Sequence, residues 1–154
     1  MKKYISFILI LFFILACNST RKINTNEVNS EKKATELNFS VVLAGEHSQM
    51  KEKQYYIFRS KDELYKFFKS DNTEELFKNA DDFKRNMLIG IFLGQQSTGG
   101  INIKIDAVTE NEESVVVKYH IEYSKIAMMV MTAPYAIIKI KKTDKKIIFE
   151  ENKS

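Results

Sequence analysis

The feature that most limits how this chain can fold is a series of short segments in which apolar residues recur at every second position. Leu37–Ala44, Ile101–Val108 and Ser114–Tyr123 follow this pattern, which is typical of strands with one buried face. Met87–Leu93 is apolar at nearly every position, as expected for a central strand covered on both faces. The polar turns between the segments are too short for parallel crossovers. We therefore predict a mostly antiparallel sheet.

Four further segments complete the set of predicted strands: Gln54–Arg59, Ala127–Met131, Tyr135–Ile140 and Ile147–Phe149. Ser60 and Glu63 have the spacing of a capping box ahead of Leu64, which predicts a helix to about residue 70. A second short helical turn is predicted at Thr73–Ala80. The predicted fold class is α+β: a predominantly antiparallel β-sheet of about eight strands with one or two short helices.

The alternation also predicts which side chains form the core. In one strand the inward residues are expected to be Ile101, Ile103, Ile105 and Ala107. In the next strand they are Val115, Val117, Tyr119 and Ile121. Methionine is a flexible side chain that fills gaps in cores. We therefore expect Met128, Met129 and Met131 to be buried.

Three of the five glycines lie in one loop, GQQSTGG, at residues 94–100. The loop begins with the glycine spacing of a phosphate-binding loop, but Gly100-Ile101 stands where Lys-Ser/Thr is required and a strand follows. Two interpretations stay open: a hairpin with glycines at positive φ, and a recognition loop presented by the scaffold. The second interpretation assigns partner binding to Gln95, Gln96, Ser97, Thr98, Gly99 and Gly100.

The chain has few residues suited to catalysis or to cofactor binding. One cysteine and two histidines are too few for a disulfide framework within one chain or for a common structural zinc site. His47-Ser48 has no apparent third member of a catalytic triad, and His120 is expected to face solvent. Asp81-Asp82 is expected to be hydrogen bonded or solvated rather than to ligate a cation. We predict no enzyme activity, no metal and no cofactor.

The net charge gives no support to a nucleic-acid partner. The formal value is +4, from 24 Lys and Arg against 20 Asp and Glu. Lys2 and Lys3 lie in a segment that we expect to be cleaved, which leaves a net charge of about +2. A lysine-rich stretch, interrupted by Asp144, is expected to be a solvated hairpin, with weak attraction to anionic lipid as the alternative. Its members are Lys139, Lys141, Lys142, Lys145 and Lys146.

The N-terminus has the pattern of a bacterial lipoprotein signal. Lys2 and Lys3 precede the apolar run Ile5–Ala16 of 12 residues. As a helix this run is about 18 Å long, which is short against a hydrocarbon core of about 30 Å. The run ends in the letters ILAC at Cys17, which resembles a lipobox, where the cysteine is acylated and becomes the new N-terminus. The alternatives are a plain secretory signal and a short membrane anchor.

These features divide the chain into four predicted parts. They are a lipoprotein signal peptide (1–16), a lipidated Cys17 with a flexible tether (17–36), a β-rich domain (37–150) and a tail (151–154). The tether is rich in Asn, Ser and Thr and reaches about 60 Å when extended. We expect the folded part to stand clear of a membrane in the bacterial cell envelope.

Several short motifs resemble the C-terminal domain of the protease complex subunit PrcB family. They are Asp82-Phe83, Met87-Leu88-Ile89, Phe92-Leu93-Gly94-Gln95, Thr98-Gly99-Gly100, and Ala133-Pro134-Tyr135-Ala136-Ile137-Ile138 with Phe149. The resemblance covers roughly residues 55–150. Ile101 stands where the family usually has Tyr, and Ser97 where Pro is frequent. The resemblance implies a small β-rich domain of envelope lipoproteins and, for the founding member, association with a cell-surface protease complex. It implies no catalytic residues.

The functional hypothesis is a lipid-anchored, non-catalytic module that binds an envelope protein, as an accessory or stabilising subunit of a protease complex. The alternative is a protease inhibitor. It rests on Thr98-Gly99-Gly100, which is similar to the TTG-type loop that chagasin-like proteins insert into cysteine proteases. An enzyme would require a concave cluster of ionisable groups, which the alternating strands do not supply.

Overall fold

The structure, a computed structural model, describes residues 34–68, 83–125 and 128–153. Within these ranges it contains one helix and eight strands in two four-stranded sheets. The elements are β1 Thr35–Glu36, β2 Ser40–Gly45, β3 Gln54–Phe58, α1 Lys61–Phe68, β4 Asn86–Phe92, β5 Ile101–Glu110, β6 Ser114–Tyr123, β7 Tyr135–Lys141 and β8 Lys146–Asn152. The predicted fold class, α+β with mainly antiparallel strands, is confirmed.

Several predictions lie outside the described residues. They concern the signal peptide, Cys17, the tether up to residue 33, the helical turn at Thr73–Ala80 and the pair Asp81-Asp82. The strands themselves reach beyond the predicted 37–150 domain, since β1 begins at Thr35 and β8 continues to Asn152. Of the described helical residues, no stretch is long and apolar enough to cross a bilayer.

The strands are divided between the two sheets in a way that short turns alone do not predict. The first sheet has the order β1-β5-β6-β8, and the second has the order β2-β7-β4-β3. All pairs are antiparallel except β6 with β8, which is parallel. Because β7 and β8 belong to different sheets, the predicted lysine-rich hairpin is wrong. The loop at residues 94–100 joins β4 to β5 across the two sheets, so the interpretation of this loop as a hairpin is also wrong. The positive φ expected of its glycines is confirmed at Gly94 and Gly100.

The central strand β4 accounts for the packing of the second sheet. It pairs with β3 on one side and β7 on the other. Met87, Ile89 and Ile91 point into the core between the sheets, whereas Leu88 and Phe92 point into a second core beneath α1. Both faces are therefore covered, as predicted from the unbroken apolar run.

The helix α1 begins at the predicted capping box. Ser60 Oγ accepts a hydrogen bond from the Glu63 N–H (3.2 Å), and the Glu63 carboxylate accepts one from the Arg59 N–H (2.7 Å). Such caps stabilise a helix by about 1 kcal/mol. Leu64 is fully buried and Phe67 packs beside it in the second core, so α1 covers the outer face of the second sheet.

Two β-bulges change which residues face inward. In β5 the register shifts between Ile105 and Ala107, so that Val108 is fully buried and Ala107 only partly. The expectation that Ala107 continues the inward series is therefore wrong, because an inserted residue reverses the alternation. A similar shift in β2 lies between Val41 and Leu43. The predicted inward face of β6 is confirmed at its three most buried residues, Val115, Val117 and Tyr119.

Candidate functional site

The loop at residues 94–100 begins at a position that requires glycine. Gly94 has a φ of +73°, in the left-handed region that residues with a Cβ rarely adopt. A Cβ at this position would lie 2.6 Å from the carbonyl carbon of Glu52. The next residue, Gln95, donates its N–H to the Lys51 carbonyl oxygen (3.1 Å). The start of the loop, just after β4, is therefore held against the backbone of Lys51 and Glu52, which precede β3.

The rest of the loop pairs with the segment that leads into β7. Gln96 and Thr132 exchange two backbone hydrogen bonds, of 2.8 and 3.0 Å, and the Gly99 N–H donates to the Met128 carbonyl oxygen (2.9 Å). Thr132 Oγ1 donates to the Thr98 carbonyl oxygen (2.8 Å), and Thr98 Oγ1 donates to the Met128 carbonyl oxygen (3.3 Å). The two segments thus support each other, and we call residues 95–99 and 128–132 the paired loops.

The six residues predicted to bind a partner differ in exposure. Gln95 and Ser97 are exposed, Gln96, Thr98 and Gly100 are half-buried, and Gly99 is buried. A Cβ at Gly99 would lie 2.8 Å from Val130 Cγ1. Within Thr98-Gly99-Gly100, Gly99 could contact a protease cleft only after separating from residues 128–132, because Val130 lies against it. The inhibitor hypothesis therefore requires a rearrangement of the paired loops.

The most exposed part of the site was assigned to the core in the sequence analysis. Met128, Met129, Val130 and Met131 are 58%, 102%, 43% and 62% exposed. The expectation that these methionines are buried is therefore wrong, and so is the expectation of a strand at Ala127–Met131, because the residues described there form no strand. We call Met128–Met131 the methionine ridge.

The position of the ridge has a physical reason. The Met128 carbonyl oxygen accepts a hydrogen bond from Gly99, and the next residue after the ridge, Thr132, pairs with Gln96. Gly99 also lies directly against Val130, so the methionine side chains are left on the solvent side. One signal in the sequence could have indicated this. The run Met128–Met131 shows no alternation of apolar and polar residues, and only Thr132 and Ala133 separate it from Pro134. Both features are unusual for a half-buried strand.

A third segment holds the base of the paired loops. Glu46 Oε1 accepts a hydrogen bond from the Gly100 N–H (3.0 Å), and the Glu46 carbonyl oxygen accepts one from the Ala133 N–H (2.6 Å). Ser48 donates its N–H to Ala133 (2.9 Å), and its hydroxyl oxygen accepts from the Met50 N–H (3.4 Å). The His47 side chain is exposed. The described geometry thus gives Ser48 a structural role and brings no carboxylate to His47.

His120 is paired rather than simply solvated. On the outer face of the first sheet its Nδ1 lies 2.6 Å from Asp106 Oδ1, and Asn152 donates to the other carboxylate oxygen (2.7 Å). Desolvation alone raises the pKa of Asp106, but the hydrogen bonds from Asn152 and His120 outweigh it. The pKa of Asp106 therefore lies below its ordinary value.

A polar cluster that the sequence analysis missed joins the two sheets where β3 faces β8. The Tyr119 and Tyr55 hydroxyl oxygens are 2.8 Å apart, and Tyr119 also donates to Glu151 (3.1 Å), which pairs with Lys53. Tyr55 stacks on Phe149 at 4.1 Å. The bond from Lys53 holds the pKa of Glu151 below its ordinary value, whereas desolvation raises that of Tyr119. The cluster therefore links the two sheets through the Tyr119 hydroxyl group.

The lysine-rich end of the chain contributes an open cavity of about 560 Å³, lined by Lys84, Arg85, Asn86, Lys141 and Lys142. Lys142 Nζ donates to the carbonyl oxygens of Arg59 (3.2 Å) and Phe83 (3.0 Å). These bonds tie the start of the β7–β8 connection to the chain just before α1 and to the chain just before β4. In the parts of the chain that the structure describes, no three or more potential metal ligands come together.

Comparison with known proteins gives one match. The family model described as PrcB C-terminal matches residues 87–141, a stretch that runs from β4 through the paired loops to the end of β7. A search of curated proteins and a search of solved structures each found no match. Residues 87–141 are therefore similar to a PrcB C-terminal domain, which confirms the resemblance inferred from the sequence.

Proposed function

We propose that this protein is an interaction module that binds a partner protein through the methionine ridge. The observation that carries this proposal is that Met128–Met131 are exposed while their backbone is held at both ends. Gly99 bonds to Met128, and Gln96 bonds to Thr132, which directly follows the ridge. Burying a side chain of this size is worth roughly 1.5–3 kcal/mol. A contiguous exposed apolar patch marks an interaction site, and methionine adapts well to varied partner surfaces.

The surroundings of the ridge have the composition expected at the rim of an interface. Gln95 and Ser97 are exposed and uncharged, and both lie in the loop that supports the ridge. Tyr123, at the end of β6, is also largely exposed. An apolar centre with a hydrogen-bonding rim is the usual anatomy of protein interfaces. The partner surface is therefore expected to be apolar at its centre, with backbone or amide groups around it.

The proposed setting of this module is a protease complex at the bacterial cell envelope. The PrcB C-terminal match in residues 87–141 supports the association with a protease, because the resemblance implies such a complex for the founding member. The lipobox-like sequence at Cys17 supports a lipid anchor. The module acts without catalysis in this proposal, because its exposed surface offers side chains for contact rather than a nucleophile with a base.

Site-specific cross-linking in native membranes tests the proposed surface. A photoreactive amino acid at Met129 is expected to give one discrete adduct with a partner protein. The matched control is the same amino acid at Tyr65, an exposed aromatic residue on α1, which is expected to give none. Absence of an adduct from position 129, or equal adducts from both positions, would contradict the proposal.

The proposed anchor is tested separately. Cys17→Ala removes the only thiol and with it the site for acyl chains, each of which contributes about 0.8 kcal/mol per buried methylene. The variant is expected to leave the detergent-rich phase in a phase-separation assay. Wild-type partitioning of the variant would disprove lipidation at Cys17 and leave the interaction surface untouched.

A further inference from the structure

We propose that the first sheet has a vacant strand position beside β5, and that an extended segment of a partner protein fills it by β-strand addition. This site is separate from the methionine ridge and does not depend on it. The proposal rests on backbone groups of β5 that pair with no other described strand, and on two solvent-exposed side chains of the facing sheet.

The outer edge of β5 is paired at one end only. β5 has ten residues, but β1 pairs only with Thr109 and Glu110. One more bond extends this pairing, from the Leu37 N–H to the Val108 carbonyl oxygen (2.8 Å). Among the described residues, no strand pairs with residues 101–107 on the side away from β6. An open edge of this kind is a template for another strand.

The hydrogen-bond pattern identifies which groups point to the open side. The Ser124 N–H donates to the Gly100 carbonyl oxygen (2.7 Å), so the even-numbered residues that follow Gly100 bond to β6. Backbone groups alternate sides along an antiparallel strand. Ile101 and Ile103 therefore direct their N–H and C=O groups toward the vacant position. Their side chains are buried in the core, so these backbone groups lie on a firmly held strand.

The facing sheet leaves two side chains uncovered beneath the vacant position. Val41 and Ala44 of β2 pair with Ile138 and Ala136 of β7, and paired residues point to the same face of a sheet. Ile138 and Ala136 are buried between the sheets, but Val41 is 53% exposed and Ala44 is also exposed. They face the core side and yet meet solvent, because no described strand of the first sheet covers them.

Both ends of the vacant position are closed. At one end Leu37 is bonded to Val108, and at the other Glu46 Oε1 accepts from the Gly100 N–H. The stretch between them, residues 101–107, spans about 23 Å at about 3.3 Å per residue. β2 runs between the same two ends, so its two uncovered side chains form the floor. A strand of about seven residues matches this length.

The chemistry of the site favours a partner segment over this chain itself. Inward side chains of the segment would cover Val41 and Ala44, and outward ones would lie beside Lys104, so an alternating apolar and polar sequence fits. Thr35 pairs with Glu110, so the chain before β1 enters at the end farthest from the vacant stretch. Two copies joined through their β5 edges with Lys104 opposite its own copy would bring like charges together, which is unfavourable.

Amide hydrogen exchange of the full-length protein in detergent micelles tests the proposal. In the free protein, Ile101 and Ile103 are expected to exchange at least tenfold faster than Lys104, which bonds to β6. The probes are seven-residue peptides, acetyl-Thr-Val-Thr-Val-Thr-Val-Thr-amide and its analogues with Ala or Ser for Val. At least one of these peptides is expected to slow hydrogen exchange at the Ile101 and Ile103 amides tenfold. A proline at the centre of that peptide is expected to abolish this protection.

Three variants define the site. Ile103→Pro removes the outward N–H but no bond to β6 and is expected to abolish peptide binding. Val41→Asp changes an exposed position and is expected to weaken peptide binding at least tenfold. This variant tests the proposal if the Ile103→Pro protein does not fold. Met129→Asp is expected to leave peptide binding unchanged. The proposal is overturned if no peptide protects these amides, if they are already protected in the free protein, or if Met129→Asp prevents binding.

Discussion

Replacing Gly94 by alanine tests the link between the β4–β5 turn and the stability of the domain. The left-handed φ of +73° costs a residue with a Cβ about 1–2 kcal/mol. The new Cβ would also lie 2.6 Å from the Glu52 carbonyl carbon and 2.8 Å from the Lys51 carbonyl oxygen. These are backbone atoms that no side-chain rotation can move, and relieving such overpacking costs about 1–3 kcal/mol. The expected loss in the free energy of unfolding is therefore about 2–5 kcal/mol.

Urea unfolding followed by far-UV circular dichroism measures this loss. With an m-value of about 2 kcal/mol/M, the midpoint is expected to fall by about 1–2.5 M. Gly94→Asn separates the two causes, because asparagine tolerates the left-handed region but carries the same Cβ. Gly45→Ala is the matched control, since its Cβ would meet the Tyr135 ring, a side chain, at 3.1 Å. A Gly94→Ala protein within about 0.5 kcal/mol of wild type would refute the reasoning.

Three further predictions concern the caps and polar clusters. Tyr119→Phe is expected to cost about 1 kcal/mol in urea unfolding, and the double variant with Tyr55→Phe less than the sum of the two single changes. The pKa values of Glu151 and Asp106 lie below their ordinary values. The two carboxylates therefore stabilise the folded state fully at pH values above their unfolded pKa of about 4. This stabilisation is lost as the pH falls through their folded pKa values. Asp106→Asn is expected to remove part of this acid sensitivity in thermal melts between pH 2 and 7. Ser60→Ala is expected to cost about 1 kcal/mol in urea unfolding through the lost cap of α1.

The sequence predicted the elements whose burial is uniform along the strand. β4 is covered on both faces, so apolar residues occur at nearly every position of the strand. The predicted burial is confirmed from Met87 to Phe92. The inward face of β6 was predicted because its buried and half-buried residues alternate without an inserted residue. The capping box at Ser60 was also recognisable, because the bonds that it forms are local.

The sequence could not indicate where the chain changes sheets. The four residues between Lys141 and Lys146 could join strands within one sheet or between two, and only the packing of β8 beside β6 decides. The bulge before Ala107 is likewise set by contacts across the strands. The exposure of the methionine ridge depends on pairing with Gly99, a residue about thirty positions earlier in the chain, and apolar composition alone suggested a core.

The central claim, that the methionine ridge is a binding surface and not part of the core, is tested most directly by the double variant Met129→Asp/Met131→Asp. Both its unfolding by urea and its recovery of a partner from detergent-solubilised membranes would be measured. Because both side chains are exposed, the free energy of unfolding is expected to stay within about 0.5 kcal/mol of wild type, while the partner is lost. A destabilisation above about 2 kcal/mol, as for buried methionines, or undiminished recovery of the partner, would contradict the account.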